Sequence, residues 1–306
     1  ALYTNNANNN AGIGHGALLA NTTGTENVAV GYKALTTNTT ANNNTAVGSS
    51  ALELNTTGAE NVAIGYSALY ANTTGASNTA VGRSALASNT TGTRNLAIGH
   101  GAYDASDTEN DNLAIGYNAM TTNTAGGTLN IAIGNYALDA LTSGDNNTAI
   151  GQNTLGATTT GGQNTAVGHE SMLTNTTGVQ NTALGRYSLY TNNANDNVAV
   201  GYSAMEANTT GAGNTAVGKD AMKANTTGTE NFAVGSLALT AATTATGNQA
   251  FGFKALETVA TGNDNTAVGA FALQLNTASN NTAVGYKAMD ANTTGADNVG
   301  IGLQAL

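Results

Sequence analysis

The chain has 306 residues and a formal net charge of −10, and only 8% of its residues are charged. Its eight Lys and Arg residues are too few and too scattered for a nucleic-acid surface, which needs clustered positive charge. It contains 39 Gly but no Pro, Cys or Trp, and the lack of Cys excludes disulfide bonds and thiolate metal sites.

One motif recurs along the chain. A Gly that follows an apolar residue occurs in 18 copies, spaced by 17 residues with one step of 18 and two of 16. The consensus is N-[T/V]-A-[V/I]-G-Y-x-A-L-x-x-N-T-T-G-x-x. This period is too short for a helical-hairpin repeat and is typical of one coil of a β-solenoid. We therefore predict an all-β fold, a parallel β-solenoid or β-roll whose stacked coils form a rod roughly 85 Å long.

The repeat continues from one end of the sequence to the other. Residues 1–306 are therefore predicted to form a single continuous repeat array of about 18 coils. The chain begins and ends with the same Ala-Leu dipeptide, in the same phase of the repeat. We expect it to be a segment of a longer fibre.

The first element of each repeat is a predicted β-strand, such as residues 27–31. Side chains alternate between the two faces of a strand, so the residue before the Gly lies on one face and the flanking Ala and Gly on the other. We interpret the smooth Ala/Gly face as one that another backbone approaches closely. The apolar residues before the Gly are interpreted as a stacked core, which begins with Val30, Val47, Ile64 and Val81.

An Asn stands four residues before the Gly in every copy. In a solenoid such residues stack on one another, so their amides form hydrogen bonds along the stack. Asn also tolerates the left-handed backbone of a turn. The predicted structural ladder includes Asn27, Asn44, Asn61, Asn78 and Asn95.

The position after the Gly is variable and is predicted to be exposed. It holds Tyr32, Tyr66, Tyr117, Tyr202 and Tyr286, and also His15, His100 and His169. Successive His residues are four or five coils apart, too far to share a metal or to form a relay. We interpret the Tyr side chains as packing over neighbouring coils, and a sugar-binding stripe is the alternative.

The Ala-Leu pair and the N-T-T-G segment complete the repeat. The Leu, replaced by Met or by Tyr103 in some copies, is the second predicted contributor to the core. A single helical turn over residues 67–70 is the alternative for this part of the coil. The N-T-T-G segment predicts a turn, and we expect it to face outward because its hydroxyls and amides are costly to bury without partners.

The N-T-T segment also matches the acceptor pattern for N-glycosylation. Either the segment serves turn chemistry alone, or these Asn residues carry glycans. The candidate glycosylation sites are Asn21, Asn38, Asn55, Asn72, Asn89, Asn175, Asn208, Asn225 and Asn292, and three N-N-T matches add Asn43, Asn146 and Asn280.

No group of residues points to catalysis. The segment G-N-D-N at residues 262–265 is similar to a calcium-binding turn, but the Gly-rich nonapeptide with its regularly placed Asp is absent. The glycines are spaced by the coil and form no phosphate-binding loop. We therefore predict that the protein is not an enzyme and that it has no catalytic residues, cofactor or metal.

The joined motifs N-x-A-[V/I]-G and A-L-x-x-N-T-T-G resemble the head repeats of trimeric autotransporter adhesins. They are even more similar to the repeat arrays of bacteriophage tail-fibre proteins, in which NTAVGYxAL recurs; the matching segments here are 78–86, 214–222 and 281–289. The resemblance extends over essentially the whole chain. It implies a left-handed parallel β-roll, three identical chains side by side, and a role as a fibre or adhesive stalk.

We therefore expect the structural shaft of an extracellular, cell-surface or virion fibre. A homotrimer or another self-assembly would form through the Ala/Gly face, and the alternative is a single-chain solenoid with that face packed inside. The alternative function is a repetitive module that carries glycans or binds a cell-surface glycan or host receptor. Ice binding is disfavoured because adjacent Thr residues of a strand point to opposite faces. Neither nucleic acid nor membrane insertion is expected.

Overall fold

The computed structural model describes residues 7–122 and 126–306, so the first Ala-Leu dipeptide lies outside the described residues. The described part is all-β, with 18 strands of three residues each. It divides into two compact units, residues 1–153 with 157–160, and residues 154–156 with 161–306. Each unit is a parallel β-solenoid, which confirms the predicted fold. The continuity of the array across residues 1–306 stays a prediction.

The first unit contains nine strands, and each strand pairs in parallel with the next one along the chain. They are β1 (Ala11–Ile13), β2 (Val28–Val30), β3 (Thr45–Val47), β4 (Val62–Ile64), β5 (Thr79–Val81), β6 (Leu96–Ile98), β7 (Leu113–Ile115), β8 (Ile131–Ile133) and β9 (Thr148–Ile150). Val47 pairs with Val30 on one side and with Ile64 on the other. The predicted stacking of equivalent residues is therefore confirmed.

The second unit also contains nine strands, paired in parallel and in chain order. They are β10 (Thr165–Val167), β11 (Thr182–Leu184), β12 (Val198–Val200), β13 (Thr215–Val217), β14 (Phe232–Val234), β15 (Gln249–Phe251), β16 (Thr266–Val268), β17 (Thr282–Val284) and β18 (Val299–Ile301). The two 16-residue steps of the repeat fall in this unit, and the register of equivalent residues is kept across both.

Hydrogen bonds link successive coils around their whole circumference, not only in the strands. The backbone N–H of Gly48 donates to the carbonyl of Val30 at 2.8 Å, and that of Leu35 donates to the carbonyl of Ala51 at 3.0 Å. In the N-T-T turn, the N–H of Thr56 donates to the carbonyl of Thr73 at 3.0 Å. Because the backbone polar groups pair from coil to coil, a short strand suffices in each repeat.

The interior is lined by the Ala at the centre of each strand, not by the aliphatic residue before the Gly. Ala63 is fully buried, whereas 41% of Ile64 is exposed. Asn61 and Ala63 are two residues apart and share the inner face, which places Ile64 on the outer face. The prediction of an aliphatic core is therefore wrong, and the outward residues include Val30, Val47, Ile64 and Val81.

The Leu of the Ala-Leu pair is confirmed as a core residue. Ala68 and Leu69 are fully buried, and so is Tyr103, which replaces Leu in its coil. The alternative of a helical turn over residues 67–70 is wrong, because Ser67 and Leu69 have φ angles of 53° and 50°. Left-handed residues at every second position turn the chain sharply and direct both members of the pair inward.

The Gly after each strand is required by the close approach of neighbouring coils. Gly48 has a φ of +137°, and a Cβ atom there would overlap the carbonyl oxygen of Gly65. The same contact recurs one coil later, between Gly65 and Gly82. A side chain at this position would push two coils apart, which explains why the position is always Gly.

Candidate functional surface

A ladder of Asn side chains, here called the strand ladder, runs just before the strands. The backbone N–H of Asn61 donates to Oδ1 of Asn44 at 3.0 Å. The Nδ2 of Asn61 donates to the carbonyl of Gly75, in the turn of the next coil, at 2.9 Å. The structure thus joins these side chains mainly to the backbone. The ladder residues named from the sequence, which are Asn27, Asn44, Asn61, Asn78 and Asn95, are all buried.

A second ladder, here called the turn ladder, is formed by the first residue of the N-T-T segments. The Nδ2 of Asn72 donates to Oδ1 of Asn55 at 2.7 Å and to the carbonyl of Gly75 at 2.9 Å. The expectation that the N-T-T turns face outward is therefore wrong for their Asn residues. Sequence reasoning missed this ladder because N-T-T-G reads as an ordinary polar turn.

The candidate glycosylation sites separate into two classes by exposure. Glycan transfer attaches sugar to Nδ2, and this atom is buried and hydrogen-bonded at the turn-ladder positions. Asn292, in the last coil, is half-buried, and three N-N-T matches, Asn43, Asn146 and Asn280, are exposed. The fully buried candidates are Asn21, Asn38, Asn55, Asn72, Asn89, Asn175, Asn208 and Asn225.

The two Thr residues of each turn have different roles. The Oγ1 of Thr56 donates to the carbonyl of Thr73 at 3.0 Å, and that of Thr73 donates to the carbonyl of Thr90 at the same distance. The following residues, Thr57 and Thr74, are exposed. Each such turn therefore engages its first hydroxyl in holding the coils together and presents its second to solvent.

The outer sheet face, defined as the first and third residues of every strand, is apolar or neutral throughout. In the described strands these positions hold Val, Ile, Leu, Phe, Thr, Ala and Gln, and none is charged. Many of the aliphatic side chains are exposed, as Ile98 and Ile150 are in the first unit and Val167 and Leu184 in the second. Large exposed apolar surfaces that repeat in this way are characteristic of interaction sites.

The Tyr and His residues that follow the Gly lie on the surface as predicted. The rings of His15 and Tyr32 stack with their centroids 5.7 Å apart, and those of His100 and Tyr117 stack at 5.3 Å. His169 contacts Tyr187 edge-on at 6.1 Å. About half of each Tyr ring in this position stays exposed, so the rings contact neighbouring coils without being covered by them. The three His residues lie on separate coils.

Among the coils of the first unit that depart from the repeat, one holds a buried carboxyl group. Ser106 stands where the turn ladder has Asn, and Glu109 stands where the turn has Gly, with only 3% of Glu109 exposed. The Oε2 of Glu109 accepts the backbone N–H groups of Asp107 and Thr108 at 3.0 and 3.1 Å. Backbone donors thus hold a buried carboxylate where the usual Asn is absent. The paired replacements at 106 and 109 were the signal in the sequence.

Within residues 7–122 and 126–306, no three His, Cys, Asp or Glu side chains are grouped so that they could hold a metal. The same part of the chain contains no helix that could cross a membrane. Comparison with known proteins gives no matching family model and no curated protein that is similar in sequence. Function is therefore inferred from the surface and from the geometry of the coils.

Proposed function

We propose that the chain is the structural shaft of an extracellular or virion fibre, and that several copies associate through the outer sheet face. The observation that carries the proposal is that no charged residue lies on this face in the described strands of a chain with a net charge of −10. Depletion of charge is the compositional signature of the centre of a protein interface. The resemblance to tail-fibre and adhesin repeats suggests three copies.

The outer sheet face replaces the Ala/Gly face as the proposed contact. Ala63 and Ala80 are fully buried within their own coil, so they are not available to another chain. Ile64 and Ile98, in contrast, stand on the outer face with 41% and 38% of their surface exposed. Burying such side chains against a second copy would release about 25 cal/mol for each Å² of apolar surface.

The internal bonding of the coils suits a load-bearing and protease-resistant role. Within each unit, successive coils are joined by backbone hydrogen bonds and by the strand ladder, as between Asn44 and Asn61 in the first unit and Asn197 and Asn214 in the second. In such a solenoid each repeat is stabilised by its neighbours, so a single repeat does not open alone without breaking contacts on both sides. Adhesive elements would then be presented by parts of the fibre other than this core.

Because the chain has no Cys, introduced thiols test the proposed contact cleanly. Ile98→Cys places a thiol on the outer sheet face, and the control Ser88→Cys places one at an exposed position elsewhere on the coil. At concentrations where the chain associates, we expect a thiol reagent to modify the Ile98→Cys variant at least tenfold more slowly than the Ser88→Cys variant. Equal rates for the two variants would contradict the contact. Antibody-labelled fibres in electron micrographs of native material would test the wider role.

A second candidate function, glycan carriage, is favoured by the exposure of Asn43, Asn146 and Asn280. In a host that performs N-glycosylation, mass spectrometry should find sugar at these residues and none at Asn55, whose Nδ2 is buried. Modification of Asn55 and its equivalents in the folded chain would contradict the turn ladder. Unmodified Asn43, Asn146 and Asn280 in native material would remove this candidate.

A further inference from the structure

A groove of about 450 Å³ crosses consecutive coils of the second unit, on the segment that follows the Ala-Leu pair. This volume falls in the range of about 300–1,000 Å³ that is usual for small-molecule sites. Its lining includes Tyr190, Glu206, Ala207, Lys223, Ala224 and Thr240.

The floor of the groove is lined by Ala at the same position of two successive coils. Ala207 and Ala224 stand six residues after the repeat Gly, where some coils have a larger residue, such as Leu54 or Leu275, and others also have Ala, such as Ala241. Both Ala residues are only partly buried, so their methyl groups line the groove. The Ala floor is therefore common to several coils, and the residues beside it, Tyr190, Glu206 and Lys223, distinguish this groove.

The aromatic wall of the groove is held in place by its neighbours. The ring of Tyr190 contacts the ring of Tyr187 edge-on, with their centroids 5.7 Å apart. The guanidinium group of Arg186 lies 4.4 Å from the centre of the Tyr187 ring, and its Nη2 donates to the Tyr187 hydroxyl at 2.6 Å. Tyr187 also contacts Tyr202 at 6.1 Å. Tyr190 is therefore oriented before any ligand arrives.

The polar side of the groove is a cluster of charges. The Nζ of Lys223 lies 3.3 Å from Oε2 of Glu206 and 3.4 Å from Oδ1 of Asp220. Burial lowers the pKa of Lys223, but the hydrogen bonds and charges of the two carboxylates outweigh it, and the pKa lies above its ordinary value. The ammonium group stays protonated, so donors and acceptors stand side by side across from Tyr190.

We infer that this groove binds a pyranose ring of a neutral saccharide. The apolar C–H face of a pyranose matches the Tyr190 ring and the Ala methyl groups. Its hydroxyl groups both donate and accept, and they match the carboxylate of Glu206 and the ammonium group of Lys223. Tyr190 and Lys223 are two coils apart, about 10 Å, which leaves room for a ring between them.

The charges of the groove argue against other classes of ligand. Glu206 and Asp220 are balanced by Lys223 and by Lys219, whose Nζ lies 3.8 Å from Oδ2 of Asp220, so the cluster has no excess of positive charge to attract an anionic sugar or a phosphate. A purely apolar ligand would bury the ion pair without satisfying it. The inference does not rest on the proposed shaft function, because a shaft lacking this site would associate through the outer sheet face in the same way.

Saturation-transfer NMR on the full chain tests the site, with maltotriose, cellotriose and chitotriose as separate probes. We expect transfer from at least one of them to the native chain, and at least a tenfold loss of affinity in Tyr190→Ala. The control is Tyr70→Ala, which removes the ring at the same position of the repeat in the first unit. That control should bind as the native chain does.

Filling the groove gives a second and independent variant. Ala224→Leu introduces a side chain that other coils already accommodate at this position, so the coil should fold with an unchanged melting temperature. We expect it to abolish the transfer. The inference is overturned if none of the three probes binds the native chain, or if Ala224→Leu and Tyr190→Ala bind as tightly as the native chain does. Stronger binding of sialyllactose than of the neutral probes would also overturn it.

Discussion

Two Asn side chains in a typical coil determine which residues of that coil face inward. Asn61 spans the interior, because its Oδ1 accepts the N–H of Asn78 at 2.9 Å and its Nδ2 reaches the turn at Gly75. Asn72 approaches the same carbonyl from the other side of the turn. Each amide is thereby satisfied, which a buried polar group requires. Asn61 faces inward, and side chains alternate along the strand, so the next inward residue is Ala63 and the aliphatic residue before the Gly faces outward.

Replacing Asn61 with Ala tests this role directly. The N–H of Asn78 would lose its acceptor in a buried position, while the carbonyl of Gly75 would keep its bond from Asn72. We expect the free energy of unfolding to fall by about 2–4 kcal/mol. The control Thr57→Ala changes an exposed residue and should stay within about 0.5 kcal/mol of the native chain. Chemical denaturation measures both, and equal effects would contradict the ladder.

Asp139 provides a prediction that depends on pH. Partial burial raises the pKa of its carboxyl group above the ordinary value. The folded chain therefore binds this proton more readily than the unfolded chain, and the contribution of Asp139 to stability rises as the pH falls through the folded pKa. At neutral pH the carboxylate is ionised and its burial is unfavourable.

We therefore expect Asp139→Asn to raise the melting temperature at pH 7 and to lose this advantage in acid, where the native carboxyl group is protonated. Thr57→Ser, which changes an exposed residue without a titratable group, is the control and should show no such trend. A melting temperature that is lower than that of the native chain at pH 7 would contradict the direction of the pKa shift.

At the scale of the coil, the sequence predicted the elements but not their orientation. The 17-residue period, the parallel strands and the buried Leu follow from spacing alone, because stacked coils must repeat the same residues. The face of the strand does not follow from spacing, since alternation is equally consistent with Ala or Val inside. Hydrophobicity alone predicted that Val30 and its equivalents face inward. The buried Asn ladders instead place the Ala at the centre of each strand on the inner face. The groove depends on where the segment around Ala207 and Ala224 lies in space, which no motif reports.

Substitutions in one strand test its orientation. Ala80 is fully buried and Val81 lies on the outer face. Ala80→Leu should lower the free energy of unfolding by about 1–3 kcal/mol, because the interior has no room for the added atoms. Val81→Asp should leave the isolated chain folded, as should Arg83→Ser. Limited proteolysis distinguishes the two orientations of the strand. Faster cleavage of Val81→Asp than of Ala80→Leu would support the aliphatic residues, and not Ala, as the core.

At the scale of the whole molecule, the feature that calls for an explanation is an uncharged outer sheet face in an acidic protein. The charged residues lie in turns, just after the Gly, and directly after the Ala-Leu pair. In the turns, pairs such as Arg94 and Asp111, whose Nε and Oδ1 atoms are 2.6 Å apart, link neighbouring coils. Exposed pairs of this kind contribute little to stability. Their positions in the coil are nevertheless outside the strands. This distribution leaves the outer sheet face of each unit suited to association and its other surfaces suited to solvent.

The mass of the native chain in solution tests association through the outer sheet face most directly. Sedimentation equilibrium should give about three times the chain mass of 30.3 kDa. A double variant, Ile64→Lys with Ile98→Lys, should remain folded by circular dichroism and sediment as a monomer, because two positive charges on the face cannot be buried without partners. A native chain that sediments as a clean monomer, or a double variant that still assembles, would contradict the proposed contact.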